Sequence, residues 1–137
     1  MCASPSYLKK AGAPRQVSDL SGHSCLVTTK PFGDGTWRLK GPKGVEKLRV
    51  RGVVSPNSAI AMRYMALDGA GIALLPTFCI AEDVRKKTLL PVLTQYGGVE
   101  QPIYACYADP RRQPLSIRLF VQFLKQRFNS ANWDTAV

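Results

Sequence analysis

The stretch Gly52-Val-Val-Ser-Pro-Asn-Ser-Ala-Ile-Ala-Met-Arg-Tyr-Met-Ala-Leu-Asp-Gly-Ala-Gly-Ile-Ala-Leu-Leu-Pro76 changes character twice. Its first residues close an alternating, strand-like segment that runs from residue 45 to 53. Ser55, Pro56, Asn57 and Ser58 then form a loop dense in helix-capping types. A helix is expected over 59–68, with Ile60, Met62, Tyr64, Met65 and Leu67 set around it. Gly69 and Gly71 suit a helix exit, where a left-handed residue is common. Residues 72–75 are wholly apolar, as in a strand covered on both faces, and Pro76 stops them. Strand, helix, strand in this order is a βαβ unit, so the expected class is α/β with parallel strands. In such sheets small ligands sit beyond the carboxyl ends of strands, beside helix N-termini.

Working outward, Ser4-Pro5 opens a short helix that runs to Gly12, with Ser4 as cap and Pro5 where its missing N–H is harmless. Residues 14–20 end in a single turn packed by Leu20. A strand is expected over 24–29, a turn cluster over 31–35, and strands over 36–40 and 45–53 joined by Gly41-Pro42-Lys43-Gly44. Beyond Pro76 a helix is expected over 80–87, strands over 89–93 and 103–107, and an amphipathic helix over 115–128. Residues 129–137 read as a loose tail.

The chain has 137 residues, 45% hydrophobic and 20% charged, which is the balance of one globular domain. No apolar run nears the roughly 20 residues needed to cross a bilayer, so no membrane association is expected. The N-terminus lacks a secretory-signal pattern, and Met1-Cys2-Ala3 reads like a strand that has been cut. Cys2, Cys25, Cys79 and Cys106 are widely spaced and form no C-x-x-C pair. Reduced thiols in a cytoplasmic protein are expected, with no metal site and no cofactor. The formal charge is +10. Seven of the 19 basic residues lie between Lys30 and Arg51, where Lys47, Arg49 and Arg51 alternate with Leu48 and Val50. That is the pattern of a strand with one wet face, although a nucleic-acid surface or an anionic partner also fits it.

Catalytic chemistry is thinly supplied. His23 is the only histidine, and it lies in a Ser-Gly-His-Ser turn. No serine has a nucleophile-elbow context, and Glu82 and Asp83 are sequence neighbours that diverge around a helix. Asp68-Gly-Ala-Gly71 follows a helix, whereas a dinucleotide loop precedes one. No catalytic residue is expected. The turn at Ser55, Pro56, Asn57 and Ser58 has two open roles, as a plain helix cap or as an anion site built from free N–H groups and the helix dipole. Pro76, Thr77 and Phe78 are likewise either a second ligand lip or an ordinary strand exit with Phe78 in the core.

Several segments, in order and spacing, resemble the effector-binding domain of LysR-type transcriptional regulators. They begin with Cys2-Ala-Ser-Pro-Ser-Tyr-Leu8, Asp19-Leu-Ser-Gly-His-Ser-Cys-Leu26, Trp37-Arg-Leu39 and Val50-Arg-Gly52 with Asn57. They continue with Ala66-Leu-Asp-Gly-Ala-Gly-Ile-Ala-Leu-Leu-Pro76, and with Leu90-Pro-Val-Leu93 followed by Tyr96. Tyr104-Ala-Cys-Tyr107 and Leu115 with Phe120-Val-Gln-Phe-Leu124 complete the set. The resemblance implies a domain like the type 2 periplasmic binding proteins, a mixed sheet with flanking helices. Two subdomains would enclose a small, anionic effector in the cleft between them.

On that resemblance residues 4–102 form the second α/β subdomain. Residues 103–128 form a crossover strand and a helix returning to the first subdomain, and 129–137 are a tail. The DNA-binding helix-turn-helix head and most of the first subdomain are expected to be missing. Contact with DNA would then be made only by the missing head, and the exposed stripe of the last helix would favour a homo-oligomer. The implied effector-binding positions are Thr28, Thr29, Ser55, Pro56, Asn57, Ser58, Pro76, Thr77 and Phe78. Two rivals remain: a solute-binding transport protein of the same fold, and a basic module that itself binds nucleic acid.

Overall fold

Two-residue strands recur wherever the sequence is wholly apolar, and they assemble the central sheet. The computed structural model describes residues 1–27, 35–54, 57–99, 104, 106 and 114–130. Strands β1 (Cys2–Ala3), β2 (Cys25–Leu26), β3 (Thr36–Gly41), β4 (Gly44–Arg49) and β5 (Gly52–Val54) precede the main helix. Strands β6 (Ile72–Ala73), β7 (Leu90–Pro91) and β8 (Gly97–Gly98) follow it. The helices are α1 (Pro5–Ala11), α2 (Ala59–Leu67), α3 (Thr77–Arg85) and α4 (Leu115–Ser130), with a 3-10 helix at Val17–Gly22. The chain divides after Val99, so α4 belongs to a second compact unit.

The five-stranded sheet has the order β5-β2-β6-β1-β7. β2 lies parallel to both β5 and β6, while β1 runs antiparallel to β6 and β7. The expected mixed α/β sheet is therefore present, with β2 inserted between the two strands of the βαβ unit. Pro91 is tolerated because β7 is an edge strand, where a missing ladder donor costs little.

Alternation along each short strand divides the core into two layers. Ala3, Cys25 and Ile72 face a cluster with Tyr7, Leu20, Trp37, Leu39 and Val50. Cys2, Leu26 and Ala73 face the other way, onto Met62 and Ala66 of α2 and Ile80 of α3. Both sheet faces are thus covered, which explains why residues 72–75 carry no polar position. Close approach within the sheet needs glycine at one point. A Cβ on Gly71 would lie 2.4 Å from the Ser24 carbonyl oxygen, the same oxygen that accepts the Ile72 N–H at 2.8 Å.

Local chemistry accounts for the first helix as expected. Ser4 Oγ accepts the Tyr7 N–H at 3.3 Å, Pro5 opens the helix, and Gly12 closes it at φ 80°. Leu20 is fully buried in the 3-10 turn. The lone histidine braces this region: Tyr7 Oη and His23 Nδ1 are 3.0 Å apart, and the same hydroxyl accepts the Ser24 N–H. Burial pushes the Tyr7 pKa up.

Three expectations shift. The strand expected over 45–53 is two strands in different sheets. Val50 N–H donates to the Gly35 carbonyl, and Arg51 C=O accepts from Cys25, so the chain changes sheet between these residues. The glycine-rich β8 joins β3 through Leu39 and Lys40, a pairing that glycine's low strand propensity conceals. The third helix begins at Thr77, not near residue 80. The strand expected over 103–107 falls largely outside the described residues.

Candidate functional site

Parallel strands end at one edge of a sheet, and here that edge carries the described part of the stretches singled out above. β5, β2 and β6 are adjacent and parallel, so their carboxyl ends share one edge. α2 starts shortly after β5 and α3 shortly after β6, which brings both helix N-termini to that side. Thr28 and Thr29 come after β2 in the sequence. Thr28, Thr29, Ser55 and Pro56 lie outside the described residues, so the edge is built here from Asn57, Ser58, Pro76, Thr77 and Phe78.

Ser58 caps α2. It is extended at φ −127° and ψ 127°, and its Oγ accepts the Ala61 N–H at 3.4 Å. Asn57 is exposed just before it. The first turn of α2 contains no acidic residue, so its free N–H groups and dipole are not neutralised by the helix itself. Burial of Met62 and Ala66 fixes the opposite side of the helix against the sheet.

α3 begins without a side-chain cap. Pro76, at φ −57°, precedes Thr77, which is half-buried in the first turn. Phe78 is 51% exposed, which removes its alternative place in the core. Because the helix starts directly after Pro76, Thr77 and Phe78 are helical first-turn residues. Ile60, at the equivalent second position of α2, is 63% exposed. Each helix therefore presents a large apolar side chain beside its N-terminus, a combination suited to a ligand with one charged and one apolar end. Ile60 was hidden in the sequence because any apolar residue in an Ala/Met-rich helix reads as core.

A buried ion pair ties these two helices together. Arg63 on α2 meets Asp83 on α3 through Nε to Oδ2 at 2.5 Å and Nη2 to Oδ1 at 2.7 Å. The Asp83 hydrogen bonds hold the Arg63 pKa above its ordinary value. Sequence reading set Asp83 beside Glu82 and missed its partner 20 residues away. Glu82 faces solvent with Arg85 and Lys86.

The cysteines are free thiols, with Cys2 and Cys25 buried, Cys79 half-buried and Cys106 exposed. Among the described residues no group of three or more His, Cys, Asp or Glu side chains could hold a metal. No helix among them is long and apolar enough to cross a membrane.

Comparison with known proteins shows the family. Residues 1–129 match the family model described as the LysR substrate binding domain. The chain belongs to that family. The HTH-type transcriptional regulator DmlR of Escherichia coli is 34% identical over 133 residues, 93% of this chain and 42% of the relative. The HTH-type transcriptional activator TtdR of the same species is 32% identical over 125 residues, 90% and 40% of the two chains. Among solved structures, the regulatory domain of CrgA, a LysR-type transcriptional regulator from Neisseria meningitidis, superimposes with a TM-score of 0.80. It is 30% identical and covers 91% of this chain and 62% of that one. The regulatory domain of AphB in Vibrio vulnificus gives a TM-score of 0.73 at 26% identity, over 92% and 62% of the two chains. This LysR-family chain spans less than half the length of these curated relatives, which are transcriptional regulators and not transporters. The solute-transport reading is set aside on that ground.

Proposed function

We propose that this LysR-family domain senses a small anionic effector at the edge where β5, β2 and β6 end. The effector's acidic group would meet the remaining free N–H groups of the first turn of α2 and the side chains of residues 55–58, with residues 28–29 and 76–78 as the other proposed contacts. Ile60 and Phe78 would line the apolar end. The observation that carries this reading is the pairing of two helix N-termini on one sheet edge, both lacking an acidic first-turn residue and each flanked by an exposed apolar side chain. Binding would bias the geometry of an attached DNA-binding dimer, in a cytoplasmic regulator with no enzymatic activity of its own. Within that reading, residues 4–102 act as one wall of the cleft and 103–128 lead back to the other.

Isothermal titration of the protein with a panel of small organic acids tests the proposal. A hit should weaken at least tenfold on Asn57→Ala, since losing one hydrogen bond to a charged group is worth roughly 1.5–3 kcal/mol, and by a similar factor on Phe78→Ala, since burying a large apolar side chain contributes roughly 1.5–3 kcal/mol. Unchanged affinity in both variants would remove the site assignment.

A further inference from the structure

Arg38 and Lys47 stand directly opposite each other across the β3–β4 hairpin, an arrangement that costs stability because like charges face one another. Alternation puts Lys40 and Arg49 on the same face, with Thr36 and Val45 as its uncharged members. Trp37 and Leu39 point the other way, into the core. Arg38, Lys40, Lys47 and Arg49 are all exposed. Among the described residues, Arg38, Lys47 and Arg49 form no ion pair, and no carboxylate shares their face; Glu46 has the parity of Leu48 and Val50. Gly97 of β8 lies beside Lys40 and adds no side chain. Arg38, Lys47 and Arg49 thus form a three-cation cluster on one face that folding alone does not require.

We propose that this face is a docking surface for the phosphate backbone of duplex DNA, separate from the effector edge. Alternate residues on a strand are about 6.6 Å apart and facing residues about 5 Å apart. Duplex DNA carries one negative charge per ~1.7 Å of axis, so such a grid meets several phosphates at once. Among the described residues, the hairpin positions on this face include no aromatic side chain on which unpaired bases could stack, which favours a duplex over a single strand. The family's curated relatives are helix-turn-helix regulators, so a protein of this kind works beside DNA. The contact is sequence-independent, and it departs from the expectation that DNA is touched only by a separate head.

The test is fluorescence anisotropy of a labelled 20-base-pair duplex of arbitrary sequence, titrated with the 137-residue chain between 50 and 200 mM salt. Three phosphate contacts, from Arg38, Lys47 and Arg49, predict a slope of log affinity against log salt of about −2.7, at roughly 0.9 per contact. Lys47→Glu should flatten that slope by about one unit and weaken binding roughly tenfold at low salt. That variant replaces a like-charge pair with an Arg–Glu pair, so it keeps its fold, which circular dichroism verifies. Lys9→Glu with Lys10→Glu, on the exposed side of α1, should leave the slope unchanged. Absence of binding at 50 mM salt would overturn the proposal, and so would an equal loss in the α1 variant. Direct binding of labelled polyglutamate at least tenfold tighter than the duplex at the same salt would also overturn it, in favour of an acidic protein partner.

Discussion

Arg63 and Asp83 form a two-pronged ion pair between the helices that follow β5 and β6, with the aspartate side chain only 6% exposed and the arginine 25%. Asp83 also accepts from the Thr88 hydroxyl, and its backbone oxygen accepts the Thr88 and Leu89 N–H groups at the end of α3. The pair links α2 to α3. Asp83→Ala strands a half-covered guanidinium and should cost roughly 2–3 kcal/mol, at the low end for broken buried pairs because Arg63 retains some water. Urea denaturation of the variant measures this. A loss below about 0.5 kcal/mol would show the pair to be energetically idle.

Gly71→Ala should destabilise by roughly 1–3 kcal/mol, because the new Cβ meets the Ser24 carbonyl of the neighbouring strand. Backbone cannot swing aside as a side chain can. Gly97→Ala is the control: its Cβ would meet nothing within 4 Å, so it should be close to neutral. Thermal melts of the two variants check the contrast.

Thiol labelling should follow burial. Desolvation pushes Cys2 and Cys25 up to about 11, so both stay protonated and unreactive at pH 8. Iodoacetamide on the native protein should modify Cys106 first, with Cys2 and Cys25 labelled only in denaturant. Peptide mass spectrometry reads the order.

Asp19 accepts the backbone N–H groups of Arg15 and Gln16, which lower its pKa below 3.8. A depressed folded-state pKa contributes stability above the unfolded value, and that contribution is lost as pH falls through the folded one. The melting-temperature gap between the parent and Asp19→Asn should therefore be full at pH 7 and close as pH drops below the ordinary carboxylate range. A gap that stays constant with pH would assign Asp19 no linked proton.

Relieving the facing pair on the hairpin should raise stability. Lys47→Glu is expected to add roughly 0.2–1 kcal/mol through a cross-strand pair with Arg38. The gain should shrink in high salt, since both side chains are exposed. Denaturation at 50 mM and 1 M salt gives the comparison.

Local signals explain how much could be read early. The caps at Ser4 and Ser58, the Pro42-Lys43 turn, the buried apolar run at Ile72 and Ala73, and the wet face of residues 45–49 are all produced by neighbours in sequence. Ligand-edge candidates at Asn57, Ser58 and Pro76 were legible for the same reason, because strand exits and helix starts carry their own residue types. What failed to show was pairing between distant segments. Gly97 and Gly98 gave no strand signal, and Phe78 looked as fit for the core as for the surface.

The residue order by itself determined an α/β chain, because alternation, capping and glycine placement act over a few residues, and the order and spacing of its segments carried the resemblance to the LysR family. Only the tertiary structure decided that β2 lies between β5 and β6, that Arg63 reaches Asp83, and that Arg38 confronts Lys47. Those relationships depend on which strands hydrogen-bond and in what register, and no window of local sequence contains that information.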